Sequence, residues 1–145
     1  MSQDVLKQLS QKENFRSAKG TITEDEIEIF ATELGVSLPA GYSAFLLEWG
    51  HAVWFGHRIC GIADRENYSA VAQTLRARAA DKKTASVAAD AVVLMPYDGG
   101  GYYMLRCGEK DFGSVVLTET ASGGDIVQKW DSFDSFAAYL LSVTP

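Results

Sequence analysis

The chain has 145 residues, 47% of them hydrophobic and 22% charged, with a net charge of −6 and two cysteines. That length suits one domain, residues 1–145, able to bury a core without disulfide or metal. No apolar run approaches the roughly 20 residues that span a bilayer, and nonspecific nucleic-acid binding needs a dense positive surface that the acidic balance does not offer.

In chain order, residues 3–13 read as a short helix, with Val5, Leu6 and Leu9 at helical spacing. The core is expected over residues 20–142, organised around the stretch from Ile22 to Gly50. Thr23 and Glu26 have the capping-box spacing, so a helix starts there. Its apolar stripe is Ile27, Phe30, Ala31 and Leu34, while Glu24, Asp25 and Glu28 favour the positive end of the helix dipole. Gly35 suits the left-handed closing position, and Pro39 opens a second helix with the stripe Tyr42, Phe45, Leu46 and Trp49.

Ala52 to Phe55 and Arg58 to Ile62 are β-prone runs separated by Gly56-His57, a tight turn. Alternation puts Val53 and Phe55 on one face and Trp54 on the other. Asn67 to Ala80 reads as a helix with Tyr68, Val71, Leu75 and Ala79 on its apolar side. Its basic end, Arg76, Arg78, Lys82 and Lys83, suits the negative pole of the dipole better than a phosphate site.

Ala91 to Met95 is continuously apolar, as in a strand covered on both faces. Asp98 to Gly101 turns the chain into a strand with Tyr103, Leu105 and Cys107 on one face and Tyr102, Met104 and Arg106 on the other. A strand over Ser114 to Glu119 and Ile126-Val127 follow. Asp131 or Ser132 then caps a last helix with the stripe Phe133, Phe136, Ala137 and Leu140. The sum is an α+β single domain, a central antiparallel β-sheet with helices packed on one face.

Ile22, Glu26, Phe30, Leu34-Gly35, Leu38-Pro39, Tyr42 and Phe45-Leu46 resemble the opening signature of the SUKH superfamily. Ile59, Gly61-Ile62, Asp98 to Tyr103, Ser132-Phe133, Phe136 and Tyr139-Leu140 look like its remaining landmarks, in order across nearly the whole chain. That superfamily groups yeast cell-wall regulators of the Smi/Knr kind with bacterial immunity proteins. Two positions depart from its pattern: Trp49-Gly50-His51 stands where an Asn-Gly-Gly type turn is frequent, and Arg106-Cys107 where an acidic residue follows the tyrosine strand. The resemblance implies a SUKH-like domain that binds a secreted or contact-delivered toxin, such as a basic nuclease, and blocks it inside the producing cell. Behind that leading reading, the eukaryotic members imply a non-enzymatic regulatory adaptor of the Smi/Knr type, and a third alternative is a small-ligand binder using a cleft between helices and sheet.

The residues themselves specify no active site, so no enzyme is expected, and no cofactor. The glycines after Asp98 open no helix, so the amides and dipole of a phosphate loop are missing. His51 and His57 lack the further ligands a metal needs. Cys60 and Cys107 sit in apolar alternating segments and read as small buried hydrophobes. Met1 to Asp4 lacks the basic-then-apolar pattern of an export signal, so a cytoplasmic protein is expected. For a protein partner, the expected interface residues are Trp54, Phe55, Asp64, Glu66, Tyr97, Asp98, Tyr102 and Arg106: large rings at an exposed face or rim, flanked by charge.

Overall fold

The computed structural model describes residues 2–80, 90–97, 100–119 and 125–144. Asp98, Lys82 and Lys83 lie outside the described residues. Helix α1 runs over Ser2–Ser10, shorter than the expected 3–13 because the Ser10 hydroxyl donates to the Lys7 carbonyl at 2.6 Å and Asn14 takes a left-handed φ of 67°. A two-residue strand β1, Arg16–Ser17, follows; no pattern in so short a segment announces it.

Helices α2, Glu24–Leu34, and α3, Ala40–Trp49, form the expected hairpin. The capping box is complete: the Thr23 Oγ1 accepts from the Glu26 N–H at 3.2 Å, and the Thr23 N–H donates to Glu26 Oε1 at 3.1 Å. Gly35 closes α2 in the left-handed conformation at φ 68°. Strands β2, Ala52–Trp54, and β3, His57–Ile59, pair antiparallel with Trp54 opposite His57. The turn is therefore Phe55-Gly56, one residue earlier than expected. Both residues have positive φ, 38° and 79°, which matches the twist of a hairpin turn of the primed kind.

A 3₁₀ turn, Glu66–Tyr68, precedes helix α4, Ala70–Ala80, which starts later than expected because Ser69 Oγ caps it by accepting from the Ala72 N–H at 3.1 Å. Its buried side is also rotated from the expected one. Ala70, Gln73, Thr74 and Ala77 are buried, while Leu75 is 47% exposed. Thr74 Oγ1 accepts the Val93 N–H at 2.9 Å, so the polar residue sits inward to hold the edge of a strand. Arg78 donates to the carbonyls of Leu34 and Ala91 at 3.1 and 3.2 Å, fastening α4 to the end of α2.

Strands β4 (Ala91–Tyr97), β5 (Gly101–Arg106), β6 (Val115–Glu119) and β7 (Asp125–Trp130) form an antiparallel sheet in sequence order, and α5, Phe133–Val143, ends the chain. β1, β2 and β3 make a smaller antiparallel sheet. The Cys60 N–H donates to the Leu94 carbonyl at 2.7 Å and joins the two. The architecture is α+β with antiparallel sheets.

Alternation along β5 is as expected. Leu105 and Cys107 join the main core with residues of α1, α2, α3 and α5, and Tyr103 packs against it; Met104 faces the other way. The second face holds a smaller cluster of Val93, Met104, Val116 and Ala77 of α4. Helices thus cover both faces near β4 rather than one, which is why β4 reads as continuously apolar. The main core is rich in rings, with Tyr42, Phe45 and Phe133 at centroid distances of 5.4 to 5.8 Å.

Candidate functional site

The residues singled out for an interface fall in separate places. Trp54 is the clearest correction: it is 0% exposed, and its Nε1–H donates to Thr144 Oγ1 at 3.0 Å. Its face of the small sheet is the covered one, with Ala52 also at 0%. Phe55 was expected to share Val53's face; it instead sits in the turn, 47% exposed. Tyr97 packs edge-on against Tyr103 at 5.9 Å beside that hairpin, along a small groove with His57 and Pro96. Tyr102 and Arg106 are half-buried on the second face of the large sheet, with Tyr102 against the smaller cluster.

Asp64 and Glu66 are exposed on the segment between β3 and α4. Glu66 forms an ion pair with Arg76, so its charge is already matched. Asp64 lines a polar cleft of about 620 Å³ together with Arg16, His51, Arg65 and Tyr68. This segment is pinned from below. The Ile62 N–H donates to the Gly50 carbonyl at 2.9 Å, and a Cβ on Gly61 would lie 1.8 Å from that same oxygen.

A stronger concentration of charge lies on α2, where Glu24, Asp25 and Glu28 read from sequence only as partners of the dipole. The helix carries five carboxylates, Glu24, Asp25, Glu26, Glu28 and Glu33, and no basic residue. Among the described residues, the ion pairs are Arg76 with Glu66 and Lys129 with Asp111, so none of these five is neutralised by one. Asp25, Glu28, Ile29, Thr32 and Glu33 follow at i, i+3, i+4, i+7 and i+8, the outward stripe. Ile29 stands 58% exposed in the middle of it. A groove of about 290 Å³ runs beside this ridge, between α2 and Gly61, Ile62, Ala63 and Val71. Asp64 and Glu66 are the predicted residues on the segment that forms the groove's far wall, though neither lines the groove itself.

The groups that nucleophilic or metal chemistry would use are placed differently. Burial pushes the Cys60 thiol up to about 11 and the Cys107 thiol to about 12, with the Asp90 carboxylate adding to the latter, so both stay protonated near neutrality. Burial lowers the His51 imidazole, opposed by the backbone at Ile62. Among the described residues no three His, Cys, Asp or Glu side chains cluster to hold a metal.

A family model described as SUKH_5, SMI1-KNR4 cell-wall, matches residues 2–142 of the chain. The chain belongs to the SUKH family. No curated protein matches it. The capping box of α2, the left-handed Gly35 and the Pro39 start of α3, which carry the opening of the SUKH resemblance, are all present in the fold. The SUKH landmark Gly61 has a steric reason of its own in the contact with Gly50. No helix among the described residues is long and apolar enough to cross a membrane.

Proposed function

We propose that this SUKH protein is a cytoplasmic immunity protein that neutralises a cognate toxin by direct contact, without chemistry of its own. The observation that carries the reading is the outward stripe of α2, carboxylates that form no ion pair among the described residues, surrounding the exposed Ile29. An apolar anchor inside a ring of like charge suits a basic protein: the charge steers the encounter and the side chain gains from burial once docked. Family membership supports a protein partner, and protonated, buried thiols support a non-catalytic role.

The test is coexpression with a catalytically inactive form of any toxin encoded beside the gene, followed by a growth-protection assay with the active toxin. The expected result is a one-to-one complex and restored growth. No complex and no rescue with such a toxin would overturn the reading and favour the adaptor role of the Smi/Knr kind.

A further inference from the structure

The cleft beside Asp64 has features that a protein-docking ridge does not need. Its walls are the outer face of the small sheet, with Arg16 opposite Val53, and the segment from Ala63 to Tyr68. Its volume of about 620 Å³ falls within the roughly 300–1,000 Å³ of small-molecule sites. The His51 and Tyr68 rings are stacked on each other, 9° apart with centroids at 5.5 Å, and both residues line the cleft.

Two guanidinium groups, Arg16 and Arg65, and one carboxylate, Asp64, line the same space. Both arginines are exposed, and neither takes part in an ion pair among the described residues. The cleft is therefore cationic in a chain whose net charge is −6.

We propose that this cleft binds a mononucleotide. The arginine forks match the phosphate, since guanidinium groups donate paired hydrogen bonds to such oxyanions. The stacked pair of His51 and Tyr68, with Val53 beside it, takes the base, whose flat face needs an apolar or aromatic surface. Asp64 accepts from a sugar hydroxyl or an exocyclic amine. A bare phosphate would leave the aromatic wall unused, and a nucleoside would leave the arginines unused.

The experiment titrates AMP, GMP, CMP and UMP into the full chain by calorimetry, following the His51 ring resonances by NMR, with adenosine and inorganic phosphate as half-ligands. Saturable one-to-one binding of at least one mononucleotide is expected, with movement of the His51 resonances and weaker binding of both half-ligands. Arg16→Ala and Arg65→Ala should each weaken it roughly tenfold or more, the value of one charge-assisted hydrogen bond. Both side chains are exposed, so unchanged thermal midpoints should accompany the loss. Absence of saturable binding by all four nucleotides at millimolar concentration overturns the proposal. So does binding that an Arg16→Ala, Arg65→Ala double variant leaves unchanged, or half-ligands that bind as tightly as the whole. This outcome is independent of toxin protection, which the cleft variants should retain.

Discussion

The indole of Trp54 donates to Thr144 Oγ1 at 3.0 Å, and the same hydroxyl donates to the Leu140 carbonyl at 2.6 Å. This short chain of hydrogen bonds ties the small sheet to the last turn of α5, inside the main core. Thr144→Val keeps the shape and removes the acceptor, leaving a buried N–H unsatisfied. The expected loss is about 1–3 kcal/mol, read by urea denaturation. Trp54→Phe in the Thr144→Val background should cost less than in the native chain, because the donor goes with its missing acceptor. Equal costs in both backgrounds would show that the bond contributes nothing.

That relationship also marks where sequence reading failed. The capping box at Thr23 and Glu26, the left-handed Gly35 and the two faces of β5 were legible because each is decided within a few residues. Trp54 was not, because a strand of three residues has no phase of its own; which face is inside depends on Thr144, 90 positions away. Leu75 was misassigned for a related reason. The edge of β4 needed a hydrogen-bond acceptor from Thr74, and that rotated α4 away from its most apolar side. The α2 carboxylates were read as dipole partners, which is a local account. That they form no ion pair among the described residues and surround an exposed Ile29 follows only from the tertiary structure.

Gly61 tests how the segment carrying Asp64 is held. A Cβ there would lie 1.8 Å from the Gly50 carbonyl oxygen and 2.9 Å from Leu46 Cδ2. The nearest atom is backbone and cannot swing aside. Gly61→Ala should therefore destabilise at the upper end of the 1–3 kcal/mol typical of overpacking, about 3 kcal/mol, seen as a lowered thermal midpoint. Retained stability would mean that the backbone at Gly50 and the segment at Gly61 can separate at little cost.

The buried thiols set an alkaline limit. Cys60 and Cys107 hold their protons to about 11 and about 12 in the fold, against 9.0 in a free chain. A raised folded pKa leaves stability intact below pH 9. As pH rises past that point the unfolded chain loses protons that the fold retains, so stability declines until the folded pKa is reached. Tyr42, buried and also shifted upward from 10.0, adds to the decline at higher pH. Denaturation midpoints should fall between pH 9 and 11, and a Cys60→Ala, Cys107→Ala variant should show a shallower fall. Iodoacetamide at pH 8 should label neither thiol until the protein unfolds, whereas rapid labelling of the native chain would contradict the burial.

The α2 ridge gives the sharpest test of how a toxin would be recognised. Glu28 and Glu33 lie on the exposed stripe on either side of Ile29, and neither is in an ion pair among the described residues. Glu28→Lys with Glu33→Lys exchanges two negative charges for two positive ones and touches no core residue, so folding should persist. Association with a basic toxin should slow by about tenfold or more at low ionic strength, within the range that steering supplies. The difference should shrink at high salt, where screening removes the long-range part. Ile29→Ala should act on the other rate, speeding dissociation while leaving the encounter unchanged, because its contribution comes only after contact. Stopped-flow binding at two salt concentrations separates these effects. If the doubly reversed variant associates at the native rate in low salt, the ridge does not steer the partner, and the contact must lie on another face.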